Sequence, residues 1–114
     1  MFEYSEKDNA YIAVIDSVKF CCEKIENGYE DIMMQLVNLY KEKLPDIIDF
    51  MMDDLQRTFG TVTVEEVINA LGMPMIDLDR NIISYLEHTL DDIHIIDVEF
   101  SGQFEEFYET IIDG

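Results

Sequence analysis

The chain is 114 residues long, and 26 Asp and Glu against 7 Lys and Arg give it a formal net charge of −19 at neutral pH. Apolar residues make up 48% of it, enough for one hydrophobic core at this length and too many for a disordered chain. The charge excludes ordinary binding to nucleic acid or an anionic membrane, because like charges repel, and leaves a cationic partner or metal ions as the partner classes.

The N-terminal stretch MFEYSEKDN has neither the basic region nor the apolar run of a signal peptide. No apolar run approaches the roughly 20 residues of a membrane span. A cytoplasmic protein is therefore expected. Ile12, Ile15, Val18, Cys22 and Ile25 recur at helical spacing and predict a first helix between Asn9 and Asn27, with Gly28 ending it. Strand-forming residues at 11–15 compete with that reading at its start. Cys21 and Cys22 are adjacent, which gives neither a CxxC redox pair nor zinc-ligand spacing. Both are expected to be reduced and to lie on or beside a buried helix face.

A second helix is predicted from about Tyr29 to Lys43, with Met33, Leu36 or Val37, Tyr40 and Leu44 on one side. Pro45 cannot continue it but suits the first turn of a third helix. That helix carries Ile48, Met51 or Met52, Leu55 and Phe59 and stops at Gly60. Thr63 and Glu66 then fit a capping box, in which each side chain accepts the backbone N–H of the other residue. Val62 and Val67 occupy the two positions of a hydrophobic staple, and Gly72 and Pro74 close a short fourth helix, Val64 to Leu71.

From Asn81 the period changes to two. Ile83, Tyr85 and Glu87 alternate with Ile82, Ser84 and Leu86, and Ile96, Val98 and Phe100 alternate with Ile95, Asp97 and Glu99. Turns are predicted at Leu90-Asp91-Asp92 and Ser101-Gly102-Gln103, before a strand-forming run from Glu106 to Ile112. The segment Asp79 to Leu90 also reads as a helix with Ile82, Ile83, Leu86 and Leu90 inside, the strand reading being preferred. The expected architecture is a single α+β domain, residues 1–114, with N-terminal helices packed against a C-terminal three-stranded antiparallel meander.

Metal and catalytic patterns are weak. Asp77-Leu78-Asp79-Arg80-Asn81 begins like an EF-hand loop, but Ile82 stands where the sharp turn needs Gly and His88 where a bidentate Glu is needed. A turn with Asx-type hydrogen bonds is expected there instead. His88 and His94, near Glu87, Asp91 and Asp92, would approach each other across a hairpin, yet surface histidines beside acids are the commoner arrangement. With 26 carboxylates, no pair stands out as an acid–base couple. The second members of Met33-Met34 and Met51-Met52 are candidates for an adaptable contact surface. No enzymatic activity and no cofactor or metal are expected.

Charge is unevenly spread. Residues 1–57 hold 13 acids and 6 bases, and residues 58–114 hold 13 acids and one base, Arg80. Neighbouring strands that present uncompensated carboxylates repel, so the acidic C-terminal half reads as a docking surface. Its expected members are Asp91, Asp92, Asp97, Glu99, Glu105, Glu106 and Glu109, with Tyr85, Phe107 and Tyr108 as aromatic anchors. Alternation puts Asp97 and Glu99 on one side of their strand and Ile96, Val98 and Phe100 in the core.

The run HTLDDIHIIDVEFSGQFEEFYETIIDG, on a small acidic α+β chain, resembles bacterial toxin-immunity proteins. These neutralise the nuclease tips of contact-dependent-inhibition and other polymorphic toxins. The resemblance covers the last quarter of the chain together with its size and charge. It implies a dedicated inhibitor that binds a cognate cationic toxin domain, with a nuclease the expected class, in the cytoplasm of the producing cell. Two other readings share the charge argument: a nucleic-acid mimic that inhibits a restriction or defence enzyme, and an acidic adapter without inhibitory activity.

Overall fold

A computed structural model describing residues 1–114 turns the stretch expected as the first helix into a β-hairpin. Strands β1 (Glu3–Ser5), β2 (Ala10–Ile15) and β3 (Val18–Cys22) form an antiparallel meander. Ile15 pairs with Val18, so the β2–β3 loop is only Asp16 and Ser17, both at left-handed φ values of 48° and 65°. That is the backbone of a type I′ turn, which matches the twist of the flanking strands. The inward positions Tyr11, Ala13 and Ile15 are followed across the turn by Val18, Phe20 and Cys22. The step of three over the turn converts a two-residue period into spacings that imitate a helix.

Neither turn residue is a glycine, and each L side chain in the left-handed region is strained by about 1 kcal/mol or more. Ser17→Gly should therefore raise stability by about 0.5–1 kcal/mol, read as a higher urea midpoint at unchanged slope. A fall in midpoint would show that the Ser17 side chain matters more than the backbone strain.

The second and third expected helices are one. Helix α1 (Tyr29–Phe59) runs through Pro45 without interruption, for 31 residues or about 46 Å. Met33, Leu36, Val37 and Tyr40 before the proline, and Ile47, Ile48, Met51 and Leu55 after it, are all buried. An interior proline costs roughly 3 kcal/mol through its missing N–H and its clash with the carbonyl four residues back. Pro45 is exposed, so water can reach that carbonyl while both halves of the buried stripe stay on the same sheet. Packing outweighs the local break.

Helix α2 (Val64–Ala70) has the capping box its sequence predicts. Thr63 Oγ1 accepts the Glu66 N–H at 3.2 Å, Glu66 Oε1 accepts the Thr63 N–H at 3.4 Å, and Val62 and Val67 are buried beneath. Strands β4 (Met75–Asp77), β5 (Ile82–Tyr85), β6 (Ile95–Ser101) and β7 (Glu106–Asp113) follow.

All seven strands form one sheet in the order β1-β2-β3-β4-β5-β6-β7. This overturns the three-stranded meander behind N-terminal helices. β5, β6 and β7 do pair antiparallel, but they continue a sheet that begins at residue 3. The one parallel pair is β3 with β4, and α1 and α2 form the crossover that parallel pairing requires. Helix α1 packs on one face only. The paired residues Ala13, Phe20, Ile76, Ile83 and Val98 form a row at most 3% exposed across five adjacent strands. Ile96, Val98 and Phe100 are core, as alternation requires, and Phe104 closes the core with its ring 4.9 Å from Phe100 and 6.2 Å from Tyr40.

Candidate partner-binding surface

With both helices on one side, the other face of the sheet has no layer over it. Its register can be followed without a break. One row runs Glu3, Ile12, Cys21, Asp77, Ile82, Glu99 and Glu109, one residue from each of β1 to β7. A second runs Val14, Lys19, Met75, Ser84, Asp97 and Ile111 across β2 to β7. From β2 to β5 the face mixes Ile12, Val14, Met75 and Ile82 with Cys21, Lys19, Asp77 and Ser84, and on the β6–β7 side Asp97, Glu99 and Glu109 leave Ile111 as the one apolar member. Lys19 is the only base on these rows.

The acidic side is electrostatically strained. Glu99 lies directly opposite Glu109, a like-charge cross-strand pair that disfavours pairing by a few tenths of a kcal/mol to about 1 kcal/mol. Asp97 is half-buried beside them, and its Oδ1 is shut off from solvent with no hydrogen-bond donor. Tyr108 is the extra residue of a β-bulge between the Glu99–Glu109 and Phe100–Phe107 pairs and is 55% exposed.

The expected partner-binding residues are not one constellation. Asp97, Glu99 and Glu109 are neighbours on the open face, with Glu106 opposite Ser101 at its end. Glu105 belongs to the β6–β7 turn, where its carboxylate accepts the Gln103 N–H at 3.4 Å. Asp92 is exposed in the loop before β6, away from the rows. Tyr85 is fully buried on the helix side, its hydroxyl 2.6 Å from that of Tyr40, and cannot serve as a surface anchor. Phe107 also faces the helix side, its ring 5.6 Å from Phe50. Sequence reasoning missed Ile12, Met75, Ile82 and Ile111, because their strands were assigned elsewhere or their faces were unknown.

The loop of residues 86–94 is built around its histidines. His88 is buried, accepts the Leu90 N–H on Nδ1 at 3.2 Å, and so carries its proton on Nε2, which donates to the His94 carbonyl at 2.6 Å. Phe59 lies edge-on to both imidazoles, at 5.8 and 5.7 Å. Asp91 accepts the N–H groups of Ile93 and His94 at 3.1 and 2.9 Å and meets the His94 ring at 2.5 Å. Asp91 is thus a loop-organising residue rather than a free surface charge.

Those hydrogen bonds, the His94 backbone N–H foremost, hold the Asp91 carboxyl down at about 2. Its folded value is below its unfolded one, so its contribution to stability is complete above the ordinary carboxylate range near 3.9. That contribution is lost as pH falls toward 2. Urea midpoints of the wild type and Asp91→Ala should differ at pH 6, and the gap should narrow from pH 4 to pH 2. A constant gap would mean that Asp91 acts through packing alone.

Asp77 Oδ1 accepts the N–H groups of Asp79 and Arg80 at 2.9 and 3.2 Å, the Asx-type turn expected from the sequence. Asp79 accepts the Glu23 N–H at 2.7 Å and the Tyr29 hydroxyl at 2.6 Å, tying this turn to the end of β3 and the start of α1. Arg80 pairs with Asp77 at 2.9 Å and Glu23 at 3.4 Å, so the acidic charge at this end is partly neutralised. Burial, with the Asp77 carboxylate adding to it, pushes the Cys21 thiol up to about 11. It stays protonated at neutral pH and is a poor nucleophile. Nowhere are three or more His, Cys, Asp or Glu gathered so as to hold a metal ion, and no helix is long and apolar enough to cross a membrane.

Comparison of the chain with protein-family models, curated proteins and solved structures finds no match.

Proposed function

We propose that the chain is an immunity-type inhibitor that captures a cationic toxin domain, a nuclease being the expected class, through its uncompensated carboxylates. The observation that carries this reading is the placement of Asp97, Glu99 and Glu109 side by side on β6 and β7, in a stretch with no Lys or Arg after Arg80. A nuclease must attract polyphosphate, so its cleft is basic, and the field that recruits substrate also recruits this protein. The reading implies a cytoplasmic protein that acts by binding, with no cofactor. The apolar residues running through the same face favour a protein partner's shaped surface over simple imitation of a phosphate backbone.

The test is co-expression with a cationic nuclease domain encoded beside this gene. Restored growth and a one-to-one complex that retains no nuclease activity would support the reading. Persistent toxicity despite soluble, folded protein would sink it for that toxin, and the same result for every neighbouring basic toxin would sink it outright.

A further inference from the structure

The open face of the sheet is a more specific surface than its charge alone. An antiparallel sheet that leaves one face to water normally alternates cleanly, with polar residues outward. Here Ile12, Ile82, Met75 and Ile111 occupy outward positions in two adjacent rows, with Val14 beyond them on β2, and Val14 and Ile111 are 59% and 45% exposed. Uncompensated carboxylates are concentrated on one side, at Asp97, Glu99 and Glu109, whereas Asp77 beside Ile82 is paired with Arg80 at 2.9 Å, and Lys19 and Glu3 stand singly toward β1.

Resting on the inhibitor reading above, we infer that this open face is the docking surface. Its occupant is a protein partner whose apolar contact region is flanked on one side by Lys or Arg. The partner's apolar region lies over Ile12, Ile82 and Met75, and its cations lie over Asp97, Glu99 and Glu109, where Ile111 sits opposite Asp97 on β7. Charge complementarity decides the occupant. A second copy of a chain carrying −19 meets repulsion, as do nucleic acid and anionic lipid. A cation placed between Glu99 and Glu109 relieves the cross-strand repulsion that the free protein sustains.

Two other surfaces fit less well. Helix α1 also exposes carboxylates, but Lys41, Lys43 and Arg57 are interleaved with them, and Arg57 pairs with Asp54 at 3.2 Å. The free edge of β7 is interrupted by the bulge at Tyr108 and lined by Glu106, Glu109 and Asp113, features that oppose strand addition. The face joins apolar area for slow dissociation to uncompensated charge for fast encounter, whereas the charge on the helix is interleaved with bases and the edge is broken by the bulge.

The experiment uses the full chain, ¹⁵N-labelled, titrated with two synthetic peptides of equal positive charge. One is an amphipathic Lys/Leu peptide with its lysines on one side, and the other is oligolysine. At physiological salt the Lys/Leu peptide should bind at least tenfold more tightly. Its amide shifts should concentrate in β2 and β4 to β7, and Ile82→Ser and Ile111→Ser should each weaken it several-fold with little change in melting temperature. Equal affinity for the two peptides would overturn the apolar component. Shifts centred on α1 would overturn the assignment of the face while leaving charge-driven capture, and so the inhibitor reading, intact. Binding of neither peptide even at low salt would overturn both.

Discussion

Tyr85→Ala should destabilise the fold by about 3–5 kcal/mol, a large share of the 5–15 kcal/mol that holds a typical domain together. The ring is fully buried between β5 and α1, and its removal leaves a cavity that one long helix and a sheet can close only in part. The milder Tyr85→Phe isolates the hydroxyl. It leaves the Tyr40 hydroxyl, 2.6 Å away in the wild type, without its buried partner, at a cost of about 1–3 kcal/mol. Burial has already pushed the Tyr40 phenol up to about 12, as expected of a hydroxyl kept from water. By contrast, Tyr108→Ala should change stability by no more than about 0.5 kcal/mol, since that side chain is 55% exposed. Urea melts of the three variants separate these outcomes. A Tyr85→Ala protein that melted like the wild type would contradict the buried position of the residue.

The second large effect is kinetic. For the cationic partner of the proposed inhibitor, association should slow by about tenfold or more between low and physiological salt, because steering between opposite fields is screened over roughly 8–10 Å. Asp97→Lys with Glu99→Lys should slow it further at low salt and flatten its salt dependence. The same double reversal should leave melting unchanged or raise it, since it removes a carboxylate whose Oδ1 has no donor and converts the Glu99–Glu109 repulsion into attraction. Stopped-flow association with the wild type and the double variant is the measurement. A rate indifferent to salt and to both reversals would reduce the acidic side of the face to ordinary solvated surface.

What could be read from the sequence was whatever local chemistry decides. The capping box at Thr63 and Glu66 is complete within four residues, and so is the Asx turn from Asp77 to Arg80. The Asp97/Val98 alternation identifies two sides of a strand without saying what covers either. The reading failed where distant packing decides. Asp16-Ser17 lacks the Asn-Gly signature of a type I′ turn, so the hairpin it makes passed as helix. Pro45 is a reliable local break that a buried stripe on both sides overrides. β4 has three residues and exists because β3 and β5 flank it. Among the site residues, the acids of β6 and β7 were legible from charge. Tyr85 was misplaced because one parity of β5 is core, and no local signal says which.

The parallel β3–β4 pairing has a consequence for how the chain reaches this structure. Every other neighbouring pair of strands is joined by a hairpin or a loop, whereas this seam brings Glu23 beside Asp79, 56 residues away. Closing so long a loop is entropically unfavourable, and contacts of high sequence separation slow folding. During synthesis the apolar hairpin of β2 and β3 emerges early and has no partner for its β3 edge until residues near 77 leave the ribosome. If the seam closes after the rate-limiting step, Ile76→Val should speed unfolding and leave refolding almost unchanged, and a matching loss in the refolding rate would place the seam in the nucleus instead. Two locally folding halves joined late by three residue pairs would give this acidic protein its period of greatest exposure before any partner is bound.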